Sequence, residues 1–330
     1  MLVRAVRSAV SIPHEGGVEA PYDTAHLTIR YPARAAQTEV ERMSGMLPAD
    51  DSGAPYPVVI LVPGVNVSSE TYRWLATAIV EAGSVCVTYD WVGLLFPGQY
   101  GLTPGVDLEA VTPQGYGSKP TTPALGPILD SLRDNPPGVL AGLLDLDRVA
   151  LFGHSAGGTV ALQSASPEWL PAVRAVVTYG AHTMASQQLG HPAGTLLDSP
   201  VEAPLLLIGG TADGVVAASA VRYGGEAGDP EHDPIERTWR EAIAPTTEAW
   251  LVRLQDAGHM LPCHPEDPTS ARGFLEEPTD PAADERLRGV LASLITTFLA
   301  AHLRATPETK AALDRLQDAP MTELADLRRR

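Results

Sequence analysis

The chain has 330 residues, enough for one large α/β domain or two modest ones, and 44% of them are apolar, which excludes wholesale disorder. Its 23 Lys and Arg stand against 40 Asp and Glu, a formal net charge of -17, so neither nucleic acid nor an anionic membrane is an expected partner. The same balance disfavours a strongly anionic substrate.

In chain order, the first seventeen residues lack the apolar stretch of a secretory signal, because Arg4 and Arg7 interrupt it. No run of 18 apolar residues occurs anywhere, so no membrane span is expected. Those two readings lead to a cytoplasmic protein, although a secreted chain without its leader has the same composition. Thr28 to Tyr31 fits an early antiparallel strand, and Val58 to Val62 reads as a strand buried on both faces, ended by Pro63-Gly64. Tyr72, Leu75, Ala76 and Ile79 recur at helical spacing, and Gly83 stops that helix. Val85 to Tyr89 makes the next strand and holds Cys86, a buried structural thiol by its apolar setting. The two cysteines, Cys86 and Cys263, have neither metal-ligand spacing nor a disulfide framework.

Residues 92–120 are rich in Gly and Pro, and loops this long are usually functional or mobile. A helix is expected over Leu125 to Leu132, then strands at Arg148 to Phe152, Ala175 to Tyr179, Leu205 to Ile208 and Trp250 to Leu254. Asp280-Pro281 has the form of an N-cap with proline at N1, opening a core helix with Leu287, Leu291, Leu294 and Phe298 on one face. The tail from Pro307 reads as a surface helix broken at Pro320, and Arg328, Arg329 and Arg330 read as solvated charges. Strand and helix patterns alternate, and no linker separates them. A single α/β domain with a mainly parallel sheet over a core of about 20–304 is therefore expected.

Directly after the strand ending at Phe152 stands Gly153-His154-Ser155-Ala156-Gly157-Gly158, followed by helix-compatible residues. A serine held on so tight a strand-to-helix turn has a strained backbone, so its neighbours two residues away must lack bulk. On such a turn the Ser155 hydroxyl projects above the sheet, and the Ala156 N–H opens a helix where it can donate to a developing oxyanion. The alternative is an inert small-residue turn. His154 beside the serine points away from the hydroxyl and reads as structural.

A serine nucleophile needs a base that is itself oriented by a carboxylate. In this arrangement the partners follow in the order Ser, Asp or Glu, His, at the ends of later strands. Asp213 is the acid candidate, against the alternative of an Asx-turn aspartate beside Gly214, and Asp256 is second choice. His259 is the base candidate, with His264 as fallback and His232 a surface residue. The second oxyanion donor belongs to the loop Pro63-Gly64-Val65-Asn66, with Val65 before Asn66.

These segments, with Val62-Pro63-Gly64-Val65 and Ala257-Gly258-His259-Met260, resemble the α/β-hydrolase superfamily. The branch they are most similar to holds dienelactone-hydrolase-like proteins, chlorophyllases, platelet-activating-factor acetylhydrolases and cutinases. The resemblance runs from about Val58 to Leu303. Serine at the elbow departs from dienelactone hydrolases proper, which use cysteine, and Ala181 stands where cutinase-like enzymes carry an aromatic residue. The resemblance implies an eight-stranded sheet, no cofactor or metal, and carboxylic ester hydrolysis through an acyl-enzyme. It also implies that 92–120 and 217–245 are insertions over the site, the second a partial lid or surface decoration. Asn66, Trp91, Phe96, His154 and His182 are candidate substrate contacts. With Leu94, Leu95 and Tyr100 they suggest an apolar pocket for a small-molecule ester. An acyltransferase or perhydrolase on the same triad, a non-catalytic binding protein and a metal-dependent hydrolase are the alternatives. The oligomeric state is not legible.

Overall fold

The computed structural model of the chain describes residues 1–13, 20–96, 98–223, 232–267, 280–318 and 321–330, the side chains of Phe96 and Arg222 excepted. Its strands are β1 (Leu2–Ser11), β2 (Thr24–Ala33), β3 (Tyr56–Val62), β4 (Val85–Phe96), β5 (Gln99–Leu102), β6 (Leu144–His154), β7 (Val173–Tyr179), β8 (Leu205–Gly210), β9 (Ala249–Leu254) and β10 (Leu324–Arg329). The helices are α1 (Glu39–Ser44), α2 (Arg73–Glu81), α3 (Leu125–Asp134), α4 (Ala156–Ser164), α5 (Gly214–Arg222), α6 (Pro234–Arg237), α7 (Pro281–Leu303) and α8 (Pro307–Asp318).

The strands form one sheet in the order β1-β2-β4-β3-β6-β7-β8-β9-β10, with β5 folded back on β4. From β4 to β9 every pair is parallel, and the antiparallel pairs lie at the two ends and in the β4–β5 hairpin. Period-two alternation divides the apolar strands between two cores. Val58, Ile60 and Val62 of β3 face a core built with α3 and α4, while Val59 and Leu61 face one built with α2 and α7. A sheet buried on both faces explains why its central strands read as unbroken apolar runs.

Helix ends follow local chemistry. Asp280 caps α7 by accepting from Ala282 N–H, with Pro281 as its first residue. Asp233 does the same for α6, accepting from Ile235 and Glu236 N–H.

Three expectations are corrected. Among the described residues the sheet has ten strands rather than eight, because β5 folds back on β4 and β10 extends the sheet beyond β9. The tail is not helical throughout: α8 is followed by β10, antiparallel to β9. Its arginines are not merely solvated. Arg328 pairs with Glu236 and lies over the Trp239 ring, and Arg329 pairs with Glu248 and Asp314 over Trp250. Of the stretch 217–245, read as either a partial lid or surface decoration, residues 234–242 pack against the body. Ile235 and Thr238 are fully buried, and Thr238 Oγ1 accepts from Thr183 N–H at 2.9 Å.

Candidate active site

The candidate residues converge because each follows a parallel strand at its carboxyl end, where open α/β sheets collect their ligands. Val65 follows β3, Ser155 follows β6, His182 follows β7, Asp213 follows β8 and His259 follows β9.

Ser155 has φ 54° and ψ -126°, a conformation costly for a non-glycine residue, by about 1–3 kcal/mol. Its N–H is held by Tyr179 O at 2.9 Å, and Ala156 begins α4 immediately after it. The flanking glycines are required by close approach. A Cβ at Gly157 would run into the Val62 and Pro63 carbonyls, and one at Gly153 into the Gly158 backbone.

His259 and Asp213 are almost fully enclosed, at 3% and 6% exposure, and are joined by His259 Nδ1 to Asp213 Oδ2 at 2.8 Å. The other carboxylate oxygen accepts from Val216 N–H at 2.8 Å, so Asp213 also caps α5. Nδ1 of His259 thus faces the Asp213 carboxylate, and His259 also lines the cavity. Asp256 lies apart on an exposed left-handed turn residue with φ 58°, and His264 is exposed.

The loop after β3 resolves by elimination. Pro63 has no N–H, Gly64 donates to Tyr72 Oη at 3.0 Å, and Asn66 donates to Leu102 O at 2.8 Å. Val65 carries the remaining main-chain N–H of that loop, and Ala156 supplies another at the head of a helix, where first-turn donors lack intrahelical partners.

His154 is wholly buried and does not line the cavity. Its Nε2 lies 2.9 Å from His259 O, which can only accept, so Nε2 carries the proton. Nδ1 must then accept from the Tyr72 hydroxyl at 2.8 Å, and that oxygen in turn accepts from Gly64 N–H. Burial, with the His259 ring nearby, holds the His154 imidazole well below its ordinary pKa, consistent with this neutral tautomer. One directed chain of hydrogen bonds thus ties the loop after β3, the elbow and the backbone of His259.

A cavity of about 240 Å³ opens on Ser155, Ala156 and His259. Its apolar walls come from Val106 and Val111 of the Gly/Pro-rich stretch, Val160 of α4, and Leu189 and Leu197 after β7. His182 is also in the wall. Its Nδ1 accepts from Met184 N–H at 3.2 Å, which leaves Nε2 to donate to Ser219 Oγ at 3.2 Å. Burial lowers its pKa to about 4, against the opposing pull of Asp213.

The other expected substrate contacts lie elsewhere. Trp91 is buried in β4, with its indole N–H on Tyr22 O at 2.7 Å, and Asn66 is engaged with the β4–β5 hairpin. Leu94 and Tyr100 are exposed, and the Phe96 side chain lies outside the described residues. Tyr72 and Gln163 were not singled out from the sequence. Tyr72 is concealed in an apolar stripe, whereas Gln163 had a signal: it is the one polar residue in Val160-Ala161-Leu162-Gln163, in helical register with Ala156 and Thr159. Among the described residues no three His, Cys, Asp or Glu side chains are grouped to hold a metal ion, and no helix is long and apolar enough to cross a membrane.

None of the curated proteins compared matches this sequence. Among solved structures, the fold is similar to that of a ferulic acid esterase from Streptomyces cinnamoneus. The TM-score is 0.61 at 18% identity, over 99% of this chain and 96% of that one. The sequence model of the alpha/beta hydrolase family matches residues 59–328, which span the loop after β3, the elbow and the His259 turn. The chain belongs to the alpha/beta hydrolase family.

Proposed function

We propose that the protein hydrolyses a carboxylic ester through an acyl-enzyme on Ser155. The observation that carries this reading is that Ser155, on its strained turn, and His259 line one cavity, with His259 joined at 2.8 Å to the enclosed Asp213. His259 Nε2 takes the hydroxyl proton as Ser155 Oγ attacks the ester carbonyl. The Val65 and Ala156 N–H groups donate to the oxyanion, supported by the positive end of α4. The tetrahedral intermediate collapses, and the alcohol leaves with the proton from His259. Water then attacks the acyl-enzyme with His259 again as base, releasing the acid and restoring Ser155. Asp213 fixes the Nδ1–H tautomer and stabilises the imidazolium.

The structure similar in fold is named for esterase activity, which makes esters the first substrates to test. The motifs around Val65, Ser155 and His259 favour the branch with dienelactone-hydrolase-like and cutinase-like enzymes. The test is hydrolysis of p-nitrophenyl esters from short to long acyl chains, alongside Ser155→Ala and labelling by a fluorophosphonate. Labelling confined to the wild type and a loss of about 10³-fold or more in kcat for the variant are expected. A folded wild type that neither labels nor cleaves any ester would sink the proposal.

A further inference from the structure

Gln163 is 3% exposed, yet it lines the cavity. No hydrogen bond joins its side-chain amide to the described residues, and the amide is not among their fully enclosed unpartnered polar atoms, so it opens to the cavity. An amide has two donors and an acceptor with two lone pairs, and buried polar groups are nearly always satisfied. Much of the cavity wall is apolar, from Val106, Val111, Val160, Leu189 and Leu197, and its other polar side chains include His182, Ser186, Ser219 and Tyr223. Thr159 Oγ1, one turn back on α4, already donates to His182 O at 2.9 Å.

The position of Gln163 fixes what could satisfy it. Ala156, Thr159, Val160 and Gln163 follow the i, i+3, i+4, i+7 spacing of one helix face, and all four line the cavity. Gln163 is eight residues beyond Ser155, or about 12 Å along the axis at the usual rise. Side chains on a helix lean toward its N-terminus, so the amide reaches back toward the serine. A group bonded to it therefore lies roughly 6–9 Å from the reacting carbonyl carbon.

Resting on the serine-esterase reading, we propose that Gln163 selects esters by one arm. That arm is an apolar body that ends, about five or six bonds from the ester carbonyl, in an uncharged hydroxyl or carbonyl group. An ionic end group is disfavoured, because the apolar walls hold no counter-charge for it. A purely apolar arm would fill the walls but leave the amide unbonded.

The test compares isosteric pairs on the intact protein. On the acyl side these are 4-nitrophenyl 6-oxoheptanoate and 6-methylheptanoate; on the alcohol side, 5-oxohexyl and 5-methylhexyl acetate. The expected result is a kcat/KM ratio of about 10- to 100-fold in favour of the ketone in one pair, which identifies the arm in the cavity. Gln163→Met, close in volume, should bring that ratio to about one or below it. Ratios near one in both wild-type pairs, with hydrolysis still dependent on Ser155, would overturn the inference while leaving the esterase reading intact. A ratio that survives Gln163→Met would overturn it as well. Absence of any Ser155-dependent hydrolysis would instead remove the reading on which it rests. The wild-type ratios decide the matter even if the variant fails to fold.

Discussion

At the residue scale, Asp213 has two duties that substitution can separate. One oxygen engages His259 and the other caps α5 at Val216 N–H. Asn at position 213 can still cap but offers the imidazole an amide in place of a carboxylate. Asp213→Asn should therefore lose about 10³- to 10⁴-fold in kcat with little change in melting temperature. Asp213→Ala should lose similar activity and about a further 1 kcal/mol of stability, read by chemical denaturation. Equal stability losses for the two variants would show that the cap contributes nothing. The Tyr72 hydroxyl is a second junction, since it donates to His154 and accepts from Gly64. Tyr72→Phe strands both partners in the interior, at about 1–3 kcal/mol each. It also frees the loop that presents Val65, so kcat should fall while KM stays near the wild-type value. A stability loss with unchanged kcat would mean that the chain of hydrogen bonds holds the fold but not the site. The places of Ser155, Asp213 and His259 were legible because each sits in a short strand-end motif. Tyr72 was not, because its hydroxyl partners are 8 and 82 residues away in sequence.

At the scale of elements, β10 covers the outer edge of β9, which would otherwise present unpaired N–H and C=O groups. Arg329 reinforces it over Trp250, and Arg330 lies over Trp239 with its guanidinium on Ile243 O at 2.9 Å. Ending the chain at Glu323 should lower the melting temperature and expose the β9 edge to pairing between molecules, seen as dimers or larger species by size-exclusion chromatography. A truncated chain that stays monomeric with an unchanged melting temperature would show that β10 is dispensable. The element escaped the sequence because Leu324 to Arg329 has a charged surface strand's composition, and its strand state depends on β9 being adjacent. The same holds for β1, an exposed antiparallel margin with polar residues among its apolar ones.

For the whole molecule, the buried imidazoles of His154 and His182 make stability depend on pH. Both are held neutral in the folded state, with pKa values lowered by burial, that of His182 to about 4. In the unfolded chain each titrates near 6.5. The unfolded state thus binds more protons below that value, so stability is full above about pH 6.5 and falls as pH drops toward 4. The His182 contribution alone is about 3 kcal/mol across that window. Urea unfolding at pH 7, 6, 5 and 4 should show this decline, and His182→Gln should make it shallower while leaving the part due to His154. A stability that is level from pH 7 to 5 would contradict the neutral burial of both rings.

The sequence by itself determined the alternation of strands and helices, the tight turn at Ser155 and the placement of Asp213 and His259 after later strands. Those features depend on local rules: apolar period, tight-turn chemistry, and placement at strand ends. Only the tertiary structure decided how many strands the sheet carries and which main-chain N–H groups of the loop after β3 are engaged. It also decided which side chains wall the cavity, bringing Val106 and Val111 in and leaving Trp91 out. Such assignments depend on partners distant in sequence, as Asn66 N–H does on Leu102 and His154 on Tyr72 and His259. A local pattern states what a residue can do, whereas the neighbours that consume or spare its hydrogen bonds are chosen by the fold.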